Sequence, residues 1–232
     1  MLLADVAAAV QDVAATSSRS AKARRLAETL RAARSDDLPV VVAYLSGELR
    51  QRRTGIGWGT LADRPPPATE PTLTVHDADE TFARAERASG TGADGVRRSL
   101  VHSLFSRATA AEQQLLAALL AGELRQGAAR GVLAEAIAVA SGADPAAVRR
   151  AFTLSGSLPD VAVAALSAPD ADTANKHLAD FGLTVGRALG PMLAQSAPSV
   201  AEAVERTGPA AVEWKLDGIR VQIHRDGDEV RV

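Results

Sequence analysis

The chain has 232 residues, of which 47% are hydrophobic and 23% charged, and its formal net charge is −2. This length suits one large domain or two small ones, and the absence of cysteine excludes a disulfide framework and thiolate metal sites. No run approaches the roughly 18 apolar residues that a membrane span needs, and the opening segment lacks the basic start of a signal peptide. We therefore expect a cytoplasmic protein with no membrane partner.

Helical periodicity dominates the chain up to about residue 184. Apolar residues recur at spacings of three and four, which is the pattern of a helix that buries one face. Four such patterns predict buried helix faces: Leu3, Val6, Val10 and Val13; Leu38, Val41, Val42, Leu45 and Leu49; Val96, Leu100 and Leu104; and Val132, Leu133, Ala136 and Ile137.

Start signals and a proline-rich break set the boundaries of the helices. Thr109 with Glu112 predicts a capping box, and Asp144 before Pro145 predicts an N-cap followed by a proline in the first turn. Residues 63–80 contain three successive prolines, which cannot continue a helix. This segment is predicted to connect two helical halves.

The two halves share a repeated pentapeptide. Gly-Glu-Leu-Arg-Gln occurs at 47–51 and again at 122–126, each time after an apolar helical stretch and before a loop with arginine and glycine. Coincidence in a chain rich in Ala, Leu and Arg is the plain alternative. We favour a pseudo-symmetric helical domain that presents two equivalent loops.

These loops are candidates for binding phosphate. Nearly all the basic residues are arginine, whose forked donors suit phosphate, and residues 16–58 are basic whereas 59–94 are acidic. Backbone N–H groups and arginines of the loops would contact a phosphate backbone without reading bases. The competing interpretation is that the arginines are solvated helix ends. The predicted DNA-binding residues are Arg50, Arg52, Arg53, Arg125, Gly127 and Arg130.

The character of the sequence changes after residue 184. Glycines and prolines predict a linker over 185–200, and a short helix is predicted near 199–206. Strands are predicted over 210–218, 219–225 and 228–232, with a turn at Asp226-Gly227. Because three short strands cannot bury a core alone, we expect the chain to stop within a second, β-rich domain.

One lysine stands in a spacing that suits covalent chemistry. Lys215, one of only three lysines, lies two residues before Asp217-Gly218 and five before Arg220. In a dry pocket beside other cations, a lysine loses its proton and becomes a nucleophile, and Arg220 would bind a phosphate or ribose there. The alternative is an ordinary hairpin with a solvated lysine.

The residues around this lysine resemble a known family. The segment EWKLDGIRVQIH, 213–224, resembles the first nucleotidyltransferase motif, K-x-D-G-x-R, of ATP-dependent DNA ligases. Residues 190–195, GPMLAQ, resemble the segment before that motif. The stretches 16–30 and 120–138 resemble parts of the helical DNA-binding domain of cellular ligases. The four segments occur in the family's order and extend over nearly the whole chain.

This resemblance implies a mainly α fold. It would comprise an all-helical, pseudo-symmetric DNA-binding domain at 1–184, a linker at 185–200, and the first strands of an α+β nucleotidyltransferase domain at 201–232. The implied function is sealing nicks in duplex DNA during replication, repair and recombination. The implied partners are ATP and nicked double-stranded DNA, and we expect a monomer that binds DNA but is inactive as these 232 residues alone.

The resemblance also implies roles for single residues. Lys215 would attack the α-phosphate of ATP and carry AMP as a phosphoramidate. Glu213 would contact the adenine, and Arg220 the nucleotide or the nick phosphate. Asp217 and Gly218 would shape the turn. The family also requires Mg²⁺, whose ligands we expect beyond residue 232.

Two other functions remain open from the sequence. An RNA ligase or capping enzyme shares the lysine motif, although such enzymes usually begin near the lysine, and this chain has a long helical region before it. A non-catalytic helical interaction module with a coincidental KLDG would bind ATP and nicked DNA no better than a control protein.

Overall fold

The computed structural model describes residues 1–51, 53–62, 64–124, 130–190, 196–211, 214, 217–219 and 221–232, and at positions 58 and 62 only the backbone. The chain divides into two compact units, residues 1–182 and 183–232. Across the described ranges the fold is mainly α, as predicted, with twelve helices and one two-stranded sheet.

Eleven helices belong to the first unit and one helix to the second. They are α1 (Leu3–Ala14), α2 (Arg19–Ala32), α3 (Leu38–Leu45), α4 (Trp58–Ala62), α5 (Val75–Arg87), α6 (Ala93–Arg107), α7 (Ala110–Ala121), α8 (Arg130–Ser141), α9 (Pro145–Ser155), α10 (Leu158–Leu166), α11 (Ala171–Ala179) and α12 (Val200–Thr207).

Helix α3 lies at the centre of the first unit. Seven of its eight residues are buried, and it packs against α1, α2, α5 and α10. A helix that is apolar on all sides is stable only inside a core, which explains its composition. The predicted apolar face extended to Leu49, but the helix ends at Leu45. The prediction overshot because spacing cannot detect a turn enforced by Gly47, whose φ is +79°.

Among the described helices, α2 and α8 pack against each other most extensively. Buried leucines of α2 meet the predicted face of α8, where Val132, Leu133, Ala136 and Ile137 are all buried. Arg31 of α2 donates hydrogen bonds to the carbonyls of Val139 and Ala140, so it satisfies orphan acceptors at the end of α8. The predicted face of α8 is therefore confirmed.

Two helix starts were predicted correctly and one apolar position was not. The capping box of α7 and the Asp144 N-cap of α9 are both present. Val96 is instead 51% exposed, because α6 turns Val101, Leu104 and Phe105 into the core. The periodicity located the helix but misplaced one edge of its buried face.

The predicted connector is shorter than expected. Helix α5 begins at Val75, so the prediction of a connector through residue 80 was wrong. A capping box starts the helix: Thr74 Oγ1 accepts from the Asp77 N–H at 3.1 Å, and Asp77 Oδ2 accepts from the Thr74 N–H at 2.8 Å. Because the backbone N–H groups of Thr74 and Asp77 both have a side-chain acceptor, the acidic stretch that follows is stable as a helix.

This capping box predicts a pH-dependent contribution to stability. Hydrogen bonds from the side chain and backbone of Thr74 hold the pKa of Asp77 below its usual value. A lowered folded-state pKa means that the stabilisation is complete above the unfolded pKa of about 3.9 and is lost as pH falls through the folded value. Asp77→Asn should therefore cost about 1 kcal/mol at pH 7 and progressively less below about pH 4.

Urea unfolding of the wild type and Asp77→Asn between pH 7 and pH 2.5 measures this difference. Asp36→Asn, at an exposed residue with no capping role in the described structure, is the control and should change little. A gap between wild type and Asp77→Asn that stays constant down to pH 2.5 would contradict the role assigned to the carboxylate.

The second unit contains α12 and a hairpin. Strand β1 (His224–Asp226) pairs antiparallel with β2 (Glu229–Arg231), with His224 opposite Arg231, and the turn contains Gly227 as predicted. At the described positions 210, 211, 214, 217–219 and 221–223 the backbone lies outside any strand, so the predicted strands are not formed at these positions. Residues 224 and 225 of the second predicted strand belong to β1, and the predictions for 212, 213, 215, 216 and 220 lie outside the described residues. An extended segment becomes a strand only beside a hydrogen-bonding partner, which these residues lack within the described structure.

The segment predicted as a linker makes specific contacts inside the second unit. The Gly186 N–H donates to His224 Nδ1 at 3.1 Å, and the Leu189 N–H donates to Gln222 Oε1 at 2.8 Å. Residues 186–189 therefore lie beside the residues that lead into the hairpin. In the described part of the chain, no helix has the length and apolar character needed to cross a membrane.

Candidate nucleic-acid interface

The first copy of the repeated pentapeptide ends α3 in a tight cap. The Gly47 N–H donates to the carbonyl of Tyr44 at 3.1 Å, and the Glu48 N–H donates to the carbonyl of Ala43 at 2.9 Å. This pair of bonds, with a left-handed glycine between helix and loop, is a Schellman motif. It turns the chain sharply away from the helix and presents the residues that follow as a loop.

The second copy ends α7 in the same way. The Gly122 N–H donates to the carbonyl of Leu119 at 3.2 Å, the Glu123 N–H donates to that of Ala118 at 2.9 Å, and Gly122 has φ +66°. The glycine and glutamate of one copy thus make the same two capping bonds as those of the other. The repeat is therefore structural at these two positions, and Arg125 and Gln126 of the second copy lie outside the described residues.

The two copies touch each other. A Cβ placed on Gly47 would lie 3.3 Å from the Cβ of Leu124, so the backbone of the first loop packs on a side chain of the second. Glu48 of the first loop forms an ion pair with Arg130, which begins α8 directly after the second loop. The packing therefore brings both arginine-bearing segments to one place on the surface.

A single carboxylate anchors the first loop to α5. Asp79 accepts from Arg50 Nη1 at 2.8 Å and from Gln51 Nε2 at 3.0 Å, and its carbonyl accepts a second bond from the same amide at 3.2 Å. Tyr44 lies beneath this cluster, where burial raises the pKa of its hydroxyl above the usual value. Asp79 thus fixes where the loop crosses the surface.

Three of the six predicted DNA-binding residues fall in the described structure. Arg50 and Arg130 have side chains 48% and 61% exposed, and each is paired with a carboxylate. Arg53 is exposed and makes no hydrogen bond or ion pair with a described residue. The predictions for Arg52, Arg125 and Gly127 lie outside the described residues.

A further arginine, which the sequence analysis did not single out, shapes the first loop. Arg97 donates to the carbonyl of Ala85 at 3.2 Å and to that of Ala88, at the end of α5, and pairs with Asp94 at 2.9 Å. Gly55 lies directly against it, with φ +68°, and a Cβ there would lie 2.6 Å from Arg97 Nε. No local pattern marked Arg97, because two of its three partners, the carbonyls of Ala85 and Ala88, lie at the end of another helix, α5.

The predicted nucleotide site is only partly described. Lys215, Glu213 and Arg220 lie outside the described residues, while Asp217 and Gly218 are exposed in irregular backbone. Within the described part of the chain, no group of three His, Asp or Glu side chains is placed to hold a metal ion. The described residues therefore offer no fitting donor set for the Mg²⁺ that the resemblance implies.

Comparison with known proteins identifies the class. Residues 60–138 match the family model described as DNA ligase N terminus, and residues 191–232 match that of the ATP dependent DNA ligase domain. The first match contains helices α5 to α7 and the second pentapeptide, and the second contains Lys215. Both family models, in this order along the chain, are those of DNA ligases.

Relatives support the same conclusion over the whole chain. The chain is 52% identical to a probable DNA ligase of Streptomyces griseus, 51% to one of Mycolicibacterium gilvum and 52% to one of Mycobacterium avium, in each case over its full length. It spans 44%, 45% and 45% of those proteins, respectively, which is about half their length. The chain belongs to the ATP-dependent DNA ligase family.

Proposed function

We propose that this protein is an ATP-dependent DNA ligase that seals nicks in duplex DNA through a lysine–AMP intermediate, in replication, repair and recombination. The observation that carries its DNA-binding part is the contact between the two identical pentapeptide loops. Two arginine-bearing loops that meet at one surface can span neighbouring phosphates without reading bases. The family matches support the remainder, because one of them contains Lys215.

The proposed chemistry has three steps. The Lys215 amine attacks the α-phosphorus of ATP, the bond to the β-phosphate oxygen breaks, and pyrophosphate leaves with its electron pair. The 5′-phosphate at the nick then displaces the lysine and takes up AMP. Finally the neighbouring 3′-hydroxyl attacks that phosphate, releases AMP and forms the phosphodiester bond.

Glu213, Arg220, Asp217 and Gly218 are proposed to support the first step. Glu213 would hold the adenine, and Arg220 would place positive charge beside the phosphates and the lysine, which also favours the neutral amine. Asp217 and Gly218 would let the backbone approach the nucleotide. ATP remains the proposed donor of AMP, and the chain is proposed to act on DNA as a monomer.

The ion pair between the loops predicts opposite effects for its two members. Arg130→Gln removes a phosphate contact and should reduce the slope of log affinity against log salt by about 1, with weaker binding. Glu48→Gln removes a competing carboxylate, so it should strengthen binding at low salt. Fluorescence anisotropy with a labelled nicked duplex between 50 and 200 mM salt measures both effects.

The control for this experiment is another exposed arginine in an ion pair. Arg87 pairs with Glu80 at 2.9 Å and its side chain is 64% exposed, close to the 61% of Arg130. Arg87→Gln should leave the salt slope unchanged. If Glu48→Gln and Arg130→Gln weaken binding equally, the pair acts only as a structural tie, and the phosphate-binding role of the loops is contradicted.

A further inference from the structure

A second polar surface lies beside the first loop. A groove of about 970 Å³ runs between the glycine-rich segment 55–60 and helix α6. Its lining includes the apolar residues Pro65, Val101 and Phe105, the arginines Arg64, Arg97 and Arg98, and one carboxylate, Asp94, which pairs with Arg97. The sequence analysis assigned no function to α6, because only the buried side of that helix had a periodic pattern.

The basic side chains of this groove differ in their partners from those of the pentapeptide loops. Arg64, Arg98 and His102 line the groove, and none of them forms a hydrogen bond or ion pair with a described residue. Arg50 and Arg130 are held by carboxylates. An arginine without a carboxylate partner can bind an anion without first breaking an ion pair, so the groove is the better prepared anion site.

Glycines keep the groove open. Gly57 and Gly59 on the loop side and Gly95 on α6 line it, and a Cβ at any of the three would meet no atom within 4 Å. The absence of side chains here is therefore not required by packing. It leaves room for a chain of the width of a sugar–phosphate backbone to approach both walls.

We propose that this groove binds the phosphodiester backbone of the DNA strand, at a site apart from the paired pentapeptide loops. Arg98 and His102 lie one turn apart on α6, about 6 Å along its axis, which suits neighbouring phosphates of one strand better than a single compact ion. Arg64, which lines the groove but lies outside α6, would add a third contact to the same strand. This inference rests on the proposed function, since it adds contacts to the same DNA.

Removing the charges tests the proposal without disturbing the core. The double variant Arg64→Gln with Arg98→Gln should reduce the salt slope of binding to a nicked duplex by about 2. The matched control is Arg24→Gln, an exposed arginine on α2, a helix that packs on α1 and α8. It should keep the wild-type slope.

Filling the groove tests its shape independently of charge. Gly95→Gln puts a neutral side chain into open space on α6, and glutamine favours a helix more than glycine does. The variant should melt at or above the wild-type temperature and yet bind the duplex less tightly. Ala8→Gln, at an exposed position of α1, is the control for added size and should bind as the wild type does.

The outcomes separate this inference from the proposed function. A reduced salt slope in the double variant, together with weaker binding by Gly95→Gln, supports DNA binding in the groove. If the double variant and Gly95→Gln both bind as the wild type does, while Arg130→Gln has a reduced salt slope, the groove is not a DNA-binding site. The proposed ligase function is unaffected by that outcome. A wild-type chain that ignores the duplex at 50 mM salt overturns both. Inorganic triphosphate is added as a competitor at constant ionic strength. If it displaces the duplex only when Arg64 and Arg98 are present, the groove binds a compact polyphosphate, and the claim that it is specific for a DNA backbone is contradicted.

Discussion

Replacing Lys215 with alanine is expected to abolish covalent attachment of AMP to the protein. Without the amine no phosphoramidate can form, so labelling should fall by at least about 10³-fold. Lys215→Arg should fail equally, because the guanidinium keeps the positive charge but stays protonated and cannot attack. This pair of variants separates a nucleophile from a residue that only supplies charge.

The measurement uses ATP labelled at the α-phosphate, followed by gel separation under denaturing conditions. It is made on the 232-residue chain and on this chain extended with the remaining sequence of the Streptomyces griseus relative. Lys176→Ala, at an exposed lysine of α11, is the control and should label as the wild type does. If Lys215→Ala still becomes labelled, Lys215 is not the nucleophile.

Gly47→Val is expected to be among the most destabilising single changes in the first unit. Its φ of +79° costs a β-branched residue about 1–3 kcal/mol in backbone strain. The new side chain would also start 3.3 Å from the Cβ of Leu124, and such crowding typically costs about 1–3 kcal/mol more. At roughly 2–4 °C per kcal/mol, a total cost of about 2–6 kcal/mol should lower the melting temperature by about 4–24 °C.

The second pentapeptide supplies a matched control for this prediction. Gly122 occupies the same position of the same motif, with φ +66°, but a Cβ there meets no atom within 4 Å. Gly122→Val should therefore cost only the strain. Thermal unfolding of both variants isolates the contact between the loops, and equal losses would mean that this contact contributes no stability.

Gly47→Val should also weaken DNA binding beyond its effect on stability. The substitution pushes Leu124 away from the first loop and thereby moves the segments that carry Arg50 and Arg130 apart. Binding of the nicked duplex, measured well below the melting temperature, should weaken more for this variant than for Gly122→Val. Since neither glycine contacts phosphate through a side chain, a larger effect at Gly47 reports the geometry of the paired loops.

Local signals predicted local structure well. Thr109 with Glu112 and Asp144 with Pro145 marked the starts of α7 and α9, because a capping bond joins residues within one turn. The same logic missed Thr74 with Asp77, where an N-cap and its acidic partner stood inside a segment interpreted as a connector. The last proline of that segment is Pro71, three residues before the capping box begins at Thr74.

The family and its lysine motif, the mainly helical fold and the repeated pentapeptide were therefore determined by the sequence alone, because each depends on residues adjacent along the chain. Only the tertiary structure decided that Arg50 is held by Asp79 across 29 positions and Arg130 by Glu48 across 82. It also placed Arg64, Arg98 and His102, which pair with no described residue, along one groove. Such pairings depend on which helices pack together, and the spacing of residues within a helix carries no information about its neighbours.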